Sequence, residues 1–391
     1  MPGWELLGKE EKEALNDIFE RSNGVLYRSA FDVRRNHIFR VDDFEKEIAK
    51  KVNVKYTYCT SSGTSGLKAA LVALGVKQGD EVITQSFTFI ATVEAILELG
   101  AIPVITEIDR SLNMDPVDLR NKITSKTKVI IPVHMGGVAA KMDEIMLIAK
   151  RHNLKVLEDS CQAFGAVYNG KPVGTIGDMG IYSFDGGKII TTGEGGAIVT
   201  NDEKLFRGAR EYCDHGHELN PNVPRGEDTR TIWGFNYKMN EMQGAVGLAQ
   251  LKKMDYILGK QREHKKIIKD ALREVKNIEF RELPDPEGDA GDTLFFFVEN
   301  KDKAKLFAKM MKEKGLGTKN VPDAIDWHFA GTWTQIFHDF DEYKGKELSQ
   351  VWKNSNDLLR RSIALPILVN WNAEDINRII ENLKEIANKV N

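Results

Sequence analysis

From residue 55 to residue 200 the chain repeats one unit, a short apolar strand, a turn of small residues and a helix, and this repetition restricts the fold more than any other feature. Residues 55–60 read as a strand that leads through Ser61-Ser62-Gly63-Thr64-Ser65-Gly66 into a helix over 67–74. Residues 81–84 form a strand before a helix over 90–99. Strands follow at 102–106 and 128–133, a helix at 142–152, and strands at 154–158, 179–184 and 197–200. Alternation at this spacing is the pattern of βαβ units on a parallel sheet, and such a sheet collects ligand groups at the carboxyl ends of its strands. Thr64, Phe89, His134 and Asp159 all stand at or just beyond such ends.

Two stretches add chemistry to this frame. The turn at 61–66 opens a helix directly after a strand, the geometry that offers free backbone N–H groups and a positive dipole end to a phosphate; an ordinary turn capped by serine and threonine has the same sequence. Residues 181–199, IYSFDGGKIITTGEGGAIV, place Lys188 between an apolar run and a glycine cluster. A lysine desolvated in such a place is a nucleophilic amine able to form a Schiff base with a carbonyl cofactor. A solvated loop lysine is the alternative, and only partners elsewhere in the chain decide between them.

The rest of the chain supplies boundaries. A length of 391 residues suggests a large domain and a smaller one. The expected division is 1–250 for a large domain with an N-terminal arm and 251–391 for a small α+β domain, where the composition turns helical and lysine-rich. A net charge of −3 lacks the basic excess that binding a polyanion needs, so nucleic acid is not expected as a partner. Cys59, Cys161 and Cys213 are odd in number and widely spaced, which suits neither a disulfide framework nor a metal site, and points to a reducing cytoplasm. The opening MPGWELLGKEEKEAL lacks the order of charge and apolar residues of a signal peptide, and no run approaches the length of a membrane span. Residues 9–21 read as an amphipathic helix. Arg28, Arg34, Arg35 and Arg40 form a basic arm before the next helix, and a long polar loop follows Asp214.

With these residues in place, the chain resembles the DegT/DnrJ/EryC1/StrS family of sugar aminotransferases. The resemblance is carried by SSGT at 61–64, SFTFIAT at 86–92, EDSCQAFGA at 158–166, SFDGGK at 183–188, GEGGAIVTND at 193–202 and GFNYKMNEMQGAVGLAQL at 234–251. It implies the α/β fold-type I aminotransferase architecture, with a mixed, mostly parallel sheet flanked by helices. It also implies pyridoxal 5'-phosphate as cofactor, L-glutamate and a sugar as substrates, and a homodimer with shared active sites. Lys188 matches the lysine that holds the cofactor and shuttles the proton. Asp159 matches the carboxylate that keeps the pyridine nitrogen protonated, so that the ring acts as an electron sink. Phe89 takes the position of the aromatic stacked on the ring and Gln162 that of the residue beside its phenolic oxygen. Gly63, Thr64 and Ser183 match the phosphate cradle, and Asn236 the residue sent from the neighbouring subunit.

The chain also departs from the family. Asp185-Gly186-Gly187 stands where a proline is common, so the backbone before Lys188 must be held in some other way. Lys238 replaces an arginine and loses its planar, bidentate geometry. Residues 364–371, ALPILVNW, lack the family's histidine at the sugar site. A closer resemblance, in PGWELLGKEEKEAL, SFDxxK, DHGHE at 214–218, FRELPDPEGD at 280–289 and Trp327-His328, is to members that aminate the terminal aldehyde of an eight-carbon sugar acid, 3-deoxy-manno-octulosonate, used in lipopolysaccharide. For that substrate His215, His217 and the arm at Arg34, Arg35 and Arg40 are the expected carboxylate donors. Amination of a nucleotide-linked 3- or 4-keto-sugar is the alternative. A sugar dehydratase is disfavoured by Lys188 itself, and a DNA-binding regulator by the short, weakly basic N-terminal stretch.

Overall fold

The computed structural model describes residues 2–28, 33–220, 222–224 and 226–390. In chain order the first strands are β1 (Tyr56–Thr60), β2 (Glu81–Gln85), β3 (Ile102–Thr106), β4 (Thr127–Ile131) and β5 (Lys155–Asp159). A two-stranded hairpin, β6 (Val167–Tyr168) and β7 (Lys171–Pro172), turns at Asn169-Gly170, and β8 (Met179–Ser183) and β9 (Gly196–Thr200) follow. Seven of these strands form one sheet in the order β1-β9-β8-β5-β4-β2-β3. Every pairing from β3 to β8 is parallel, whereas β9 runs antiparallel to both β8 and β1. The reversal has a simple cause. Parallel neighbours need a crossover helix, and β8 passes to β9 through the loop that carries Lys188, with no helix between them.

Successive residues of a strand face opposite sides of the sheet, and here both sides are covered. Val82, Ile131, Leu157 and Ile198 pack with Leu67 and Leu71 of the helix Gly63–Ala73. Their neighbours Ile83, Ile130, Val156 and Val199 pack with Phe44, Phe184 and Leu258 on the other side. This explains why the strands read as nearly continuous apolar runs.

The helix Glu241–Leu272 carries the chain from this sheet to a second one. Its Leu251, Met254 and Leu258 belong to the first core, its Ile268 and Leu272 to the core of the second. Residue 250 therefore lies inside a continuous helix. The second sheet is antiparallel, with β10 (Glu279–Phe280), β11 (Thr293–Phe297) and β12 (Ser362–Pro366), and is packed by the helices Lys301–Glu313 and Ala373–Val390. A third cluster joins the two parts: Phe87, just past β2, packs with Phe295, Phe329 and Trp333. Among the described residues no helix is long and apolar enough to cross a membrane, and no cluster of potential metal ligands occurs.

Candidate active site

The helix after β1 begins at Gly63, earlier than its periodicity suggests, because Ser62 and Ser65 cap it reciprocally. Ser65 N–H donates to Ser62 Oγ at 3.1 Å and Ser62 N–H to Ser65 Oγ at 3.0 Å. The N–H groups of Gly63 and Thr64, in the first turn, lie beyond the reach of intrahelical acceptors and are open to an anion. Gly63 also needs its missing side chain: a Cβ there would lie 3.0 Å from Cys161 Sγ and 3.2 Å from Ser183 Cβ. Gly63, Thr64 and Ser183 line a cavity of about 270 Å³ together with Phe89, Asp159, Gln162 and Lys188.

Asp159, at the end of β5, is 4% exposed, and each carboxylate oxygen accepts one bond. Cys161 N–H donates to Oδ1 at 3.1 Å and the Thr92 hydroxyl to Oδ2 at 2.7 Å; Thr92 in turn meets the Thr88 hydroxyl at 2.8 Å. Cys161 lies between Asp159 and Gln162, but burial, reinforced by the Asp159 charge, pushes its thiol well above the ordinary range, so it stays protonated. Gln162 Oε1 accepts from Gly136 N–H at 3.3 Å and from the Asn320 side-chain amide at 3.1 Å.

Lys188 Nζ lies 3.3 Å from Asp185 Oδ2, with 19% of its side chain exposed. It also lines a second cavity, of about 590 Å³, whose far wall comes from the other part of the chain: Asp292, Thr318, Lys319, Asn320, His328 and Leu368. The two cavities share Phe89, Cys161, Gln162, Ser183, Asp185 and Lys188, so they meet at the lysine. Lys319 is held by Asp292 at 2.5 Å. His328 Nδ1 donates to the Ala324 carbonyl at 2.8 Å, which leaves Nε2 as an acceptor. Burial, together with the charges of Lys188 and Lys319, lowers its pKa to about 4, so it is neutral. Phe89 is held between the lobes, its ring centroid 6.4 Å from Trp327 and 5.5 Å from His328, while Thr88 N–H donates to His328 O at 3.0 Å.

The other expected residues lie elsewhere. His134, though at a strand end, is buried. Its Nδ1 accepts from Ala140 N–H at 3.0 Å, and its Nε2 meets Glu158 at 3.0 Å, a carboxylate that also receives the N–H groups of Gly174, Ile176 and Gly177. It is a packing residue. Arg35 requires a correction: it is 1% exposed and pairs with the buried Glu241 at 2.7 Å, so its charge is committed inside the chain rather than to a ligand. Arg40 pairs with Asp17. His217 meets Asp228 at 3.2 Å, and His215 is exposed at φ 57°. Asn236 is exposed on a segment bridged to Asp214, and neither it nor the two histidines lines the Lys188 cavities. Pro221 and Arg225 of that loop, like residues 29–32 of the arm, are outside the described residues. Lys319, Asp292, Asn320 and His328 were not among the expected site residues; of these only His328 carried a sequence signal, in the Trp327-His328 pair.

The cavity fits a flat, phosphorylated pyridine aldehyde. Free N–H groups and hydroxyls lie on its wall, an aromatic ring and a buried carboxylate line it, and a lysine stands at its mouth. Comparison with known proteins agrees. Residues 35–384 match the DegT/DnrJ/EryC1/StrS aminotransferase family model, and the chain belongs to that family. It is 44% identical over 218 residues to the GDP-perosamine synthase of Caulobacter vibrioides, a match spanning 54% of this chain and 56% of that protein. It is 30% identical to the spore coat polysaccharide biosynthesis protein SpsC of Bacillus subtilis over 98% of this chain and 95% of that one. NtdA from Bacillus subtilis, solved with bound cofactor PMP, superposes with a TM-score of 0.83 at 27% identity, over 98% of this chain and 83% of that one. The class is thus an aminotransferase with pyridoxal phosphate as its cofactor.

Proposed function

We propose that the protein moves an amino group from L-glutamate to the terminal aldehyde of 3-deoxy-8-oxo-manno-octulosonate, giving 8-amino-3,8-dideoxy-manno-octulosonate for lipopolysaccharide and releasing 2-oxoglutarate. The observation that carries the aminotransferase reading is the meeting of the two cavities at Lys188, one suited to the cofactor and one open to substrate. When bound, the cofactor supplies a conjugated ring that takes up the electron pair of a broken C–H bond. Lys188 Nζ would hold it and, when released, move the proton between substrate carbon and cofactor carbon. Asp159 would pair with the ring nitrogen, Phe89 would cover the ring, Gln162 would stand beside the phenolic oxygen, and Gly63, Thr64 and Ser183 would hold the phosphate. His328 Nε2 accepts a substrate hydroxyl.

Asn236 serves the site of a second copy of the chain in a homodimer. In support, it stands beside exposed Trp233 and Phe235, 72% and 39% accessible, aromatic surface of the kind that partners cover. His215 and His217, on the segment bridged to Asn236 through Asp214 and His215 N–H to Phe235 O, would reach the partner's substrate. The large and small domains divide near residue 250, and three free cysteines suit the cytoplasm.

The acceptor rests on the motifs of the closer resemblance. Amination of a nucleotide-linked keto-sugar is the second reading, favoured by the likeness to GDP-perosamine synthase and by the loss of Arg35 as a carboxylate donor. The test is a parallel assay with glutamate and either the octulosonate aldehyde or GDP-, UDP- and dTDP-linked keto-sugars, following 2-oxoglutarate. Preference for a nucleotide-linked sugar discards the octulosonate acceptor; release that never exceeds one equivalent of 2-oxoglutarate per site with any of these sugars discards sugar amination.

A further inference from the structure

The backbone before Lys188 is poorly constrained by its own sequence. Two consecutive glycines have the greatest conformational freedom, and a Cβ at Gly186 would meet nothing within 4 Å. Inside the turn the restraints are local, between residues 183 and 188: Asp185 N–H to Ser183 Oγ at 3.5 Å, Gly187 N–H to Asp185 Oδ1 at 2.5 Å, Lys188 N–H to Asp185 O at 3.2 Å and the Lys188–Asp185 ion pair at 3.3 Å. The end of the loop is better held, by Thr192 N–H to Phe184 O at 2.8 Å.

The missing restraint comes from the other end of the chain. Gly3 N–H donates to the Lys188 carbonyl at 3.1 Å. The approach is so close that a Cβ on Gly3 would lie 2.9 Å from Thr191 N and 3.0 Å from Lys188 O. Two residues on, Glu5 Oε2 accepts the N–H groups of Val369 at 3.0 Å and Asn370 at 3.1 Å, and the Asn370 amide donates back to Glu5 O at 3.3 Å. Leu368, the residue before them, lines the larger cavity.

We infer that residues 3–5 are a strap that positions Lys188: Gly3 holds the lysine's backbone, and Glu5 moors the strap to the segment forming the opposite cavity wall. Gly3 and Glu5 are positioning residues. The inference rests on Lys188 being the cofactor lysine, and it explains how the chain does without a proline at this loop.

The test compares wild type with Gly3→Val, Glu5→Ala and Glu5→Gln. Glutamine keeps a single oxygen able to accept both backbone N–H groups, so it should rescue what alanine loses. In cofactor-free protein, amide exchange of residues 186–191 is expected to accelerate about tenfold in Gly3→Val and Glu5→Ala and to stay near wild type in Glu5→Gln. In loaded protein, the pH midpoint of the visible band of lysine-bound cofactor should move. The cofactor dissociation constant should rise about five- to tenfold, as for the loss of one hydrogen bond, with the thermal midpoint of the cofactor-free protein unchanged. Wild-type exchange and an unmoved band midpoint in both disruptive variants overturn the strap. Should Gly3→Val not fold, the Glu5→Ala and Glu5→Gln pair decides alone. A wild-type protein that binds cofactor without the visible band refutes the Lys188 assignment, while the exchange data still judge the strap.

Discussion

His328 should make the protein's stability depend on acid in a way that can be isolated. Its pKa lies at about 4 in the folded chain against an ordinary 6.5, because the ring is buried and faces the charges of Lys188 and Lys319. A group whose folded value is depressed binds fewer protons folded than unfolded between the two values, so stability is fully present above the unfolded pKa and is lost as the pH falls. Between about pH 7 and pH 5 the loss from this one residue comes to about 2 kcal/mol. In His328→Asn, the amide can still donate to the Ala324 carbonyl but nothing titrates there. Urea unfolding of wild type and variant at both pH values is the assay. Glu45, which burial pushes up to about 7, changes stability in the opposite direction, but it is common to both proteins and cancels. The variant should lose about 2 kcal/mol less than wild type over that interval. An equal loss would show that His328 is as easily protonated as a solvated histidine, and would remove the argument for its Nε2 as a neutral acceptor.

Further outcomes follow from the site. Lys188→Ala should abolish turnover and the visible band with the fold intact, checked by circular dichroism; an active variant would refute the assignment. Asp159→Asn should slow the single-turnover reaction with glutamate by at least about a hundredfold, since the Thr92–Thr88 hydroxyl pair can reverse to accept the new amide and only the charge is lost. Arg35→Met should destabilise the fold by about 3–5 kcal/mol, measured by chemical unfolding, because Glu241 is left buried without its partner. Mixing inactive Lys188→Ala with inactive Asn236→Ala under subunit exchange should restore part of the activity, and no recovery would argue against a shared site.

What could be read in advance divides along a physical line. Thr64, Phe89 and Asp159 sit at or just past the ends of strands of one sheet, so the alternating pattern alone brings them to one edge; Gln162, Ser183 and the role of Lys188 came from the motifs of the family resemblance, and the structure gathers all six around one cavity. The opposite wall had no such guide. Lys319 and His328 reach Lys188 only because Phe87 docks on Phe329 and Trp333, a tertiary contact across a sequence separation that no local period reports. Arg35 shows the same limit for charge. A cluster of arginines looks like a solvated or ligand-binding arm until the chain folds and places Glu241 at 2.7 Å. His134 was drawn in by its position after β4, and nothing in the sequence signalled that Glu158 would claim its second nitrogen.

The charges around the larger cavity bear directly on which sugar enters it. Among the described residues lining it, the ionic groups are Asp185, Lys188, Asp292 and Lys319, and they pair off as Lys188 with Asp185 at 3.3 Å and Lys319 with Asp292 at 2.5 Å. Because His328 is neutral, one chain presents no net charge to a substrate there. A neutral sugar ring needs none. The carboxylate of an octulosonate, or of glutamate, needs donors, since an ionised group buried without them costs several kcal/mol. Lys319 uses one of its three ammonium protons on Asp292, which leaves others for a carboxylate while Asp292 holds the nitrogen in place. Any further cation must come from outside this wall, and exposed His215 lines neither of its own chain's Lys188 cavities. Specificity for an acid substrate would therefore reside in the pairing of two chains, whereas preference for a nucleotide sugar would leave the cavity beside Lys188 to its hydrogen-bonding groups alone.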